Sequence, residues 1–392
     1  MAASAETCKD APPVPRRIRP SAIGVFDPIT GAVRRTAVVG DAIWAAVAGD
    51  VVITEAGDGW LRGIELQAPT EVIWCLRLAA SSDLGLGPEA AGIVAVGPTV
   101  VVASGRDVLG VDANSGAIRW KAPIAEAISG LSAGKSQIYV STTLANNGSV
   151  TALNGLDGTV AWHQVVSPCA ITSGPSSATG PAAQACFVPV GPGKVIESGS
   201  LLVLSSPNDR QVKAFDIATG LIRWHIDASA PIIAASGDIA LVYGRDTAEL
   251  AGFGQDGRRI FTVSASGHAI AGDEAGAFVL DQGVGQAGSP QVGPPPSTTA
   301  LVARRADDGT TLWRVEVPGL PQTIGVADGL LITSSGRDIA AVRAADGSVA
   351  WHASLVTPAT TGSFSVTGSW NLLGLTSEGI VLIAAAEHPY RD

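Results

Sequence analysis

The strongest constraint on the fold is a segment that recurs along the chain. Each copy has an apolar run, a turn rich in Asp, Asn and Gly, a glycine, and a tryptophan four residues after that glycine. Five copies match closely and end at Trp120, Trp162, Trp224, Trp313 and Trp351. Three other copies depart from the pattern: Phe261 or Arg35 replaces the tryptophan in two of them, and Thr70 replaces the glycine in the third. A repeat of roughly 40 residues is typical of the four-stranded blade of a β-propeller.

The chemistry of each copy predicts a β-hairpin. The apolar runs alternate with period two, as in a strand with one buried face. Asp and Asn side chains bond to their own backbone in turns, and glycine tolerates positive φ. We therefore predict an all-β fold, an eight-bladed β-propeller with four-stranded antiparallel blades. Large aromatic side chains on the outer strands would fill the gaps between blades, and these blade-packing residues are Trp74, Trp120, Trp162, Trp224, Phe261, Trp313 and Trp351.

The two chain ends are expected to close the ring together. After Trp351 the sequence offers three more apolar strands and then ends. The missing fourth strand of that blade would come from residues 22–39. Either Ile23–Phe26 or Ala32–Val38 could serve as this N-terminal closing strand. The pairing would remove a free sheet edge.

The repeat predicts one propeller domain over residues 21–392, preceded by an extended tail over residues 1–20. Two insertions, at about 167–199 and 281–298, interrupt the regular spacing. One would follow the last strand of a blade and the other the second strand, so both should leave from the same face of the ring. Long loops on a rigid scaffold often carry function, although they also tolerate neutral change.

Composition excludes several classes of protein. Apolar residues make up 46% of the chain and charged residues only 15%, which argues against disorder. The net charge of −10 argues against nucleic-acid binding, which needs a concentrated basic surface. The longest Val-rich stretch, residues 92–105, is too short for a transmembrane segment and contains Gly97 and Pro98.

The N-terminal sequence shows no signal peptide, because the first 20 residues lack an apolar core. Met1 is the only methionine and precedes a small, polar, Pro-containing stretch. This pattern is typical of a chain from which an export signal or membrane anchor has been removed. We expect an extracytoplasmic protein, periplasmic or at the cell surface, that is membrane-anchored in its full-length form.

The repeat, written (A/G)-x-D-x-x-(T/S)-G-x-x-x-W, resembles that of the quinoprotein-dehydrogenase-like eight-bladed propellers over about residues 22–386. That family includes PQQ-dependent alcohol dehydrogenases. It also includes non-catalytic scaffolds of similar size on the cell envelope, such as the outer-membrane assembly factor BamB. The resemblance is strong for the fold and weak for activity, because a fold does not determine function.

The resemblance allows a PQQ-dependent enzyme as an alternative. Such an enzyme needs Ca²⁺ held by carboxylate and amide oxygens, an Asp base and a surface on which the quinone stacks. The family's enzymes often have a disulfide between adjacent cysteines, which this chain lacks, and they carry longer loops. Outside the repeat, Trp44, Trp60 and Trp370 remain as stacking groups. We therefore predict no catalytic residues, no bound cofactor and no metal, and keep PQQ with Ca²⁺ as the alternative.

Four cysteines suggest disulfides rather than a metal site. Cys169 and Cys186 bracket a loop rich in Ser, Gly, Pro and Ala, which a disulfide would stabilise by roughly 3 kcal/mol. Their spacing does not match the paired cysteines of a zinc site. Cys8 could bond to Cys75, or it could lie near a removed anchor. A disulfide would indicate an oxidising compartment.

Gly-Arg-Asp recurs at three expected turns between the second and third strands of blades. Glycine and Asp suit tight turns, and this explains the pattern without invoking function. The turns also place charges of both signs on one face, which suits a protein partner. Asp209-Arg210 occupies a similar turn in another blade. The candidate interaction face contains Arg106, Asp107, Arg210, Arg245, Asp246, Arg337 and Asp338.

These observations predict a non-catalytic extracytoplasmic scaffold that binds a protein partner of a membrane or envelope complex through its loop-rich face. The alternatives are a small PQQ/Ca-dependent quinoprotein-like oxidoreductase and a sugar-binding propeller.

Overall fold

The computed structural model describes most of the chain as β-structure. The described residues are 8, 21–38, 42, 44–55, 59–68, 71–78, 92–144, 147–168, 195–206, 211–228, 231–244, 246–265, 267–273, 276–281, 298–318, 323–335, 338–354, 365–366 and 371–387. They form eight antiparallel sheets arranged as the blades of a propeller. This confirms the predicted all-β, eight-bladed fold.

Each blade has four strands, which we call a to d from the centre outward. In order a to d, blade 1 has β3 (Trp44–Ala48), β4 (Val51–Glu55), β5 (Trp60–Glu65) and β6 (Val72–Arg77); blade 2 has β7 (Ile93–Val96), β8 (Thr99–Ser104), β9 (Asp107–Asp112) and β10 (Ile118–Pro123); blade 3 has β11 (Ala127–Ala133), β12 (Gln137–Leu144), β13 (Asn147–Asn154) and β14 (Val160–Pro168); and blade 4 has β15 (Val195–Ser198), β16 (Leu201–Ser206), β17 (Gln211–Asp216) and β18 (Ile222–Asp227). Blade 5 has β19 (Pro231–Ser236), β20 (Ile239–Gly244), β21 (Glu249–Phe253) and β22 (Arg259–Ser264); blade 6 has β23 (Gly267–Gly272), β24 (Ala277–Asp281), β25 (Thr298–Arg304) and β26 (Thr311–Pro318); blade 7 has β27 (Thr323–Ala327), β28 (Leu330–Ser335), β29 (Asp338–Arg343) and β30 (Val349–Ser354); and blade 8 has β32 (Asn371–Thr376), β33 (Gly379–Glu387), β1 (Ser21–Phe26) and β2 (Val33–Val38).

Blade 8 is built from both ends of the chain. Its innermost strand β32 contacts β27 on one side and β3 on the other, which closes the ring. The two-residue strand β31 (Ser365–Val366) pairs with the end of β33. β1 pairs with β33, and β2 pairs with β1. An N-terminal strand therefore closes the ring as predicted. The two candidate segments are not alternatives, and the expectation of three C-terminal strands in this blade was wrong. Both pair in the sheet, because only two full-length C-terminal strands contribute to the blade.

The antiparallel order gives the ring two distinct faces. Strands b and d of every blade end at one face, which we call the loop face. Strands a and c end at the other, which we call the turn face, where short a–b and c–d turns connect them. Strands b and c are largely buried on both sides, as in β8, whereas the outer strand β10 alternates between buried and exposed positions.

The aromatic residue of each repeat joins one blade to the next. Trp120 on β10 packs against Gly158 of the following blade, where φ is +71° and a Cβ would lie 2.4 Å from the indole ring. Its indole N–H donates to the Gly155 carbonyl of the same turn at 3.2 Å. Equivalent bonds of 2.7–2.9 Å run from Trp74 to Ala113, Trp162 to Ile217, Trp313 to Ala344 and Trp351 to Pro28.

A small residue on strand c lies opposite each of these aromatic residues. Gly110 pairs with Trp120, and a Cβ on that glycine would lie 2.1 Å from the ring. The other pairs are Gly63 with Trp74, Ala152 with Trp162, Ala214 with Trp224, Gly252 with Phe261, Ala303 with Trp313 and Ala341 with Trp351. The small residue lets the ring lie across its own sheet before it reaches the next blade.

A carboxylate organises the turn between strands c and d. Asp216 Oδ1 accepts hydrogen bonds from the Ala218 N–H at 3.1 Å and the Thr219 N–H at 2.9 Å. Arg223, on the following strand, donates to Oδ2 at 2.6 Å. The Arg223 bond and the Thr219 bonds lower the pKa of Asp216 to about 2. Asp27 and Asp112 hold the same kind of turn in blades 8 and 2.

Replacing Asp216 with Asn is expected to lower the free energy of unfolding at pH 7 by about 1–2 kcal/mol, because charge-assisted bonds to a buried carboxylate are lost. A depressed folded-state pKa stabilises the fold above the ordinary value of 3.8, and this contribution disappears as pH falls towards 2. The difference between wild type and Asp216→Asn should therefore shrink over that window. Urea unfolding at several pH values measures it. Asp307→Asn, which alters an exposed carboxylate, should show neither effect.

Candidate interaction face

The loop face is where the chain departs most from a regular repeat. β14 ends at Pro168 and β15 begins at Val195, while β24 ends at Asp281 and β25 begins at Thr298. All four strand ends lie at the loop face because they are the ends of strands b or d and the beginnings of a or c. Residues 167–168 and 195–199 of the first expected insertion belong to blades 3 and 4, and residues 281 and 298 of the second belong to blade 6. The remainder of both insertions lies outside the described residues.

The Gly-Arg-Asp segments occupy b–c connections on this face. Arg106 and Asp107 lie where β8 passes into β9, and Asp338 begins β29. Asp246 lies in the connection between β20 and β21. The other three predicted face residues lie outside the described residues. In the sequence they come between the second and third strands of their blades, and they are Arg210, Arg245 and Arg337.

Charges of both signs meet at these positions. Lys121 Nζ lies 2.7 Å from Asp107 Oδ2, and His352 Nε2 lies 3.8 Å from Asp338 Oδ1. Lys121 and His352 each directly follow the repeat tryptophan on strand d. Both blades therefore place a nitrogen-bearing side chain beside the aspartate that begins strand c. Exposed pairs of this kind contribute little to stability. They place charges of both signs on the rim, which suits recognition by a complementary protein surface.

A polar cluster beneath the loop face was not anticipated from the sequence. The Glu126 carboxylate, in the connection from blade 2 to blade 3, accepts hydrogen bonds from the buried hydroxyls of Thr142 and Ser149. On the same sheet Thr151 Oγ1 lies 2.9 Å from His163 Nδ1. Burial raises the pKa of Glu126, but the two hydroxyl bonds and the charge of His163 outweigh it, so the net shift is downward.

The sequence signal for this cluster is weak, because the Ser-Thr-Thr run near the end of β12 has a polar counterpart in the two serines that end β16. The cluster keeps a carboxylate charged at the loop-face end of blade 3. It lies close to the Arg106 turn, because the Ile124 N–H donates to the Arg106 carbonyl at 2.7 Å.

Cysteine chemistry ties the tail to blade 1. Cys8 and Cys75 form a disulfide across a sequence separation of 67, and Cys75 lies buried on β6. The predicted pair of Cys169 and Cys186 lies outside the described residues.

The PQQ and Ca²⁺ alternative requires metal ligands and an aromatic surface for the quinone. The described residues contain no group of three or more His, Cys, Asp or Glu side chains that could hold a metal ion. Trp60 is buried, and Trp44 packs against the core between blades 1 and 2. Trp370 is beyond the described ranges.

The repeat, the inter-blade tryptophans and the ring closed by both chain ends define an eight-bladed propeller of the PQQ-like repeat class. The family model described as outer membrane protein assembly factor BamB matches residues 23–130, 57–198 and 208–368. The chain therefore belongs to that family. A comparison with curated proteins found no match. Within the described ranges, no helix is long and apolar enough to cross a membrane.

Several solved structures are similar to this chain. BamB from Moraxella catarrhalis is 14% identical, with 87% of this chain and 95% of that one covered and a TM-score of 0.45. Quinohemoprotein alcohol dehydrogenase from Comamonas testosteroni is 12% identical, with 94% and 78% covered and a TM-score of 0.51. The computationally designed Ika8 protein is 13% identical, with 88% and 96% covered and a TM-score of 0.50. At these identities the similarity concerns the fold alone.

Proposed function

We propose that the protein is a non-catalytic, extracytoplasmic scaffold that binds a protein partner of the cell envelope through its loop face. The observation that carries the proposal is the asymmetry of the ring. Both long insertions begin and end at the loop face, whereas the turn face is formed by short turns with internal hydrogen bonds. Long connections on a rigid scaffold are suited to recognition.

Two further observations support this function. The family to which the chain belongs is described as an assembly factor of outer membrane proteins. The disulfide between Cys8 and Cys75 is of the kind that persists in oxidising compartments such as the periplasm or the cell surface.

Charge reversal on the loop face tests the proposal. Asp107→Lys combined with Asp338→Lys should reduce capture of the partner in cross-linked, detergent-solubilised membranes of the source cells by roughly tenfold, since it places like charges against a complementary surface. The measurement is quantitative mass spectrometry of proteins that co-purify with the tagged chain. Glu71→Lys combined with Asp307→Lys makes the same charge change on the turn face and should leave capture unchanged.

Equal capture by wild type and the loop-face variant would show that the wrong face was chosen. Addition of PQQ and Ca²⁺ to the purified protein tests the enzymatic alternative. A bound-quinone absorbance or reduction of a redox dye would overturn the non-catalytic assignment.

A further inference from the structure

A groove of about 370 Å³ opens between blades 4 and 5 on the outside of the ring. One wall is the end of β18 and the residues that follow it, and the other is formed by strands b, c and d of blade 5. The lining residues are Ile226, Asp227, Ala228, Val242, Gly244, Thr247, Glu249, Ala251, Phe253 and Arg259. The centre of this surface is apolar, and its charged side chains lie towards the ends.

The joint beside the groove departs from the pattern of the other blades. In blade 5 the Gly257 N–H bonds to the Gly254 carbonyl three residues back, whereas in blade 2 the Gly116 N–H bonds to Asp112 four residues back. The c–d turn of blade 5 is therefore one residue shorter. The indole nitrogen that precedes this turn, the buried Trp224 Nε1, has no hydrogen-bond partner among the described residues.

A glutamine holds this joint at the turn face instead. Gln255 Nε2 donates to the Ser198 carbonyl at 3.0 Å and to the Asp238 carbonyl at 2.6 Å. Its Oε1 accepts from the Ser200 N–H at 3.1 Å. Blades 4 and 5 are thus fastened on one side, and the walls of the groove are held in fixed positions without filling the space between them.

The groove contains two opposite charges without ion-pair partners in the described part of the chain. Glu249 begins β21 at the loop face and is exposed. Arg259 begins β22 near the turn face, with its guanidinium 5.6 Å from the centre of the Phe253 ring. Asp227 adds a second carboxylate at the Glu249 end, where Gln211 Nε2 donates to it at 3.2 Å.

The backbone is strained at the acidic end of the groove. Ala248, directly before Glu249, has φ of +51°, a left-handed conformation that residues other than glycine rarely adopt. In blade 1 the equivalent position, before β5, is Gly59 with φ of +78°. Such strain persists where the surrounding structure demands it, and it is concentrated at functional sites.

The length of the groove fits an extended chain. The five residues of β21 separate the acidic end from Phe253 by about 13 Å at 3.3 Å per residue, which matches about four steps of an extended peptide.

We propose that this groove binds an extended segment of a partner protein, with a Lys or Arg at the Glu249 end, apolar side chains over Ala251 and Phe253, and an Asp or Glu at Arg259. The inference rests on the proposed scaffold function, because it assigns one contact of that partner. It adds a site on the outer side of the ring to the contacts proposed for the loop face.

Selection from a phage library of random linear peptides on the full chain tests the site. Wild type should enrich sequences with a basic residue about four positions from an acidic one and apolar residues between them. Glu249→Arg should replace the basic preference with an acidic one, and Arg259→Glu should do the reverse. A synthetic peptide with the wild-type motif should bind either variant about tenfold more weakly, which corresponds to 1.4 kcal/mol.

Matched controls lie on the outer strand of blade 6, where Arg314 and Glu316 are both exposed. Arg314→Glu and Glu316→Arg make the same charge changes and should leave the motif unaltered. Circular dichroism and thermal unfolding of all four variants show that they fold. If a charge reversal unfolds the protein, a change to glutamine is the gentler substitution. Glu249→Gln should lose the preference for a basic residue, and Arg259→Gln should lose the preference for an acidic one.

Failure to enrich any sequence, or enrichment of one motif by wild type and groove variants alike, would overturn the groove assignment. Partner capture by wild type from cross-linked membranes would then still support the scaffold function. If wild type captures no partner from these membranes, the proposed function itself is wrong. The two failures are therefore separate results.

Discussion

Replacement of Trp351 with alanine is expected to lower the free energy of unfolding by about 4 kcal/mol, within the range for truncating a large buried aromatic side chain. Trp351 lies on β30 of blade 7 and is 6% exposed. Its ring stacks on Phe26 at a centroid distance of 6.3 Å and packs against Gly31. Both contacts belong to the N-terminal strands of blade 8 and the turn between them. The substitution therefore weakens the joint at which the two chain ends complete the ring.

Urea unfolding followed by far-UV circular dichroism measures this loss. Trp351→Phe keeps a ring in place and removes the indole N–H that donates to the Pro28 carbonyl at 2.9 Å. Trp351→Phe should lower the free energy of unfolding by about 1–2 kcal/mol, because the carbonyl acceptor is left unpaired and the smaller ring makes fewer contacts.

Trp224→Phe is the matched control. The same atoms are removed, but the Trp224 Nε1 has no partner to lose among the described residues. An unpaired buried N–H is unfavourable, so its removal offsets part of the lost packing. We expect a smaller cost than for Trp351→Phe. An equal or larger cost would contradict the role assigned to the indole hydrogen bond.

The blades could be predicted from the sequence because their physics is local. The glycine with positive φ, the turn carboxylate and the tryptophan lie within one hairpin, so each appears as a short pattern. The small residue opposite the tryptophan lies in the same hairpin, and ten positions separate Gly110 from Trp120 and Ala214 from Trp224. In blade 5 only nine separate Gly252 from Phe261, which indicates the shortened turn.

Features that depend on several blades could not be predicted in the same way. The sequence indicated that the N-terminus would close the ring, but not that both β1 and β2 join blade 8, because that depends on which C-terminal strand is innermost. The Glu126 cluster combines a connection with two strands. The groove combines β18 with three strands of blade 5. No single pattern records such sites, since their members are distant in sequence.

The disulfide between Cys8 and Cys75 is expected to contribute roughly 4 kcal/mol to stability in the chain-entropy model, because it closes a loop with a sequence separation of 67. The loop contains β1 and β2, the two N-terminal strands of blade 8, and ends on β6 in blade 1. The bond therefore limits the separation of blade 8 from its neighbour when the chain unfolds.

Cys8→Ser should lower the free energy of unfolding by about that amount, and dithiothreitol should have little further effect through this bond. Cys8 is the better position to change because Cys75 is buried at 1% exposure, so its substitution would also disturb packing. Peptide mapping without reductant identifies the linked pair in wild type. In a variant that carries both Cys169→Ser and Cys186→Ser, the second predicted pair cannot form. The loss of stability that dithiothreitol causes in this variant therefore comes from the bond between Cys8 and Cys75.

Unchanged stability in Cys8→Ser would show that the tail does not reinforce ring closure. A large loss would mean that the fold depends on oxidation, since a reducing compartment would keep these thiols apart. The same measurement therefore bears on the proposed location. If the reduced protein loses several kcal/mol, the chain reaches its full stability only where disulfides persist, as the extracytoplasmic scaffold requires.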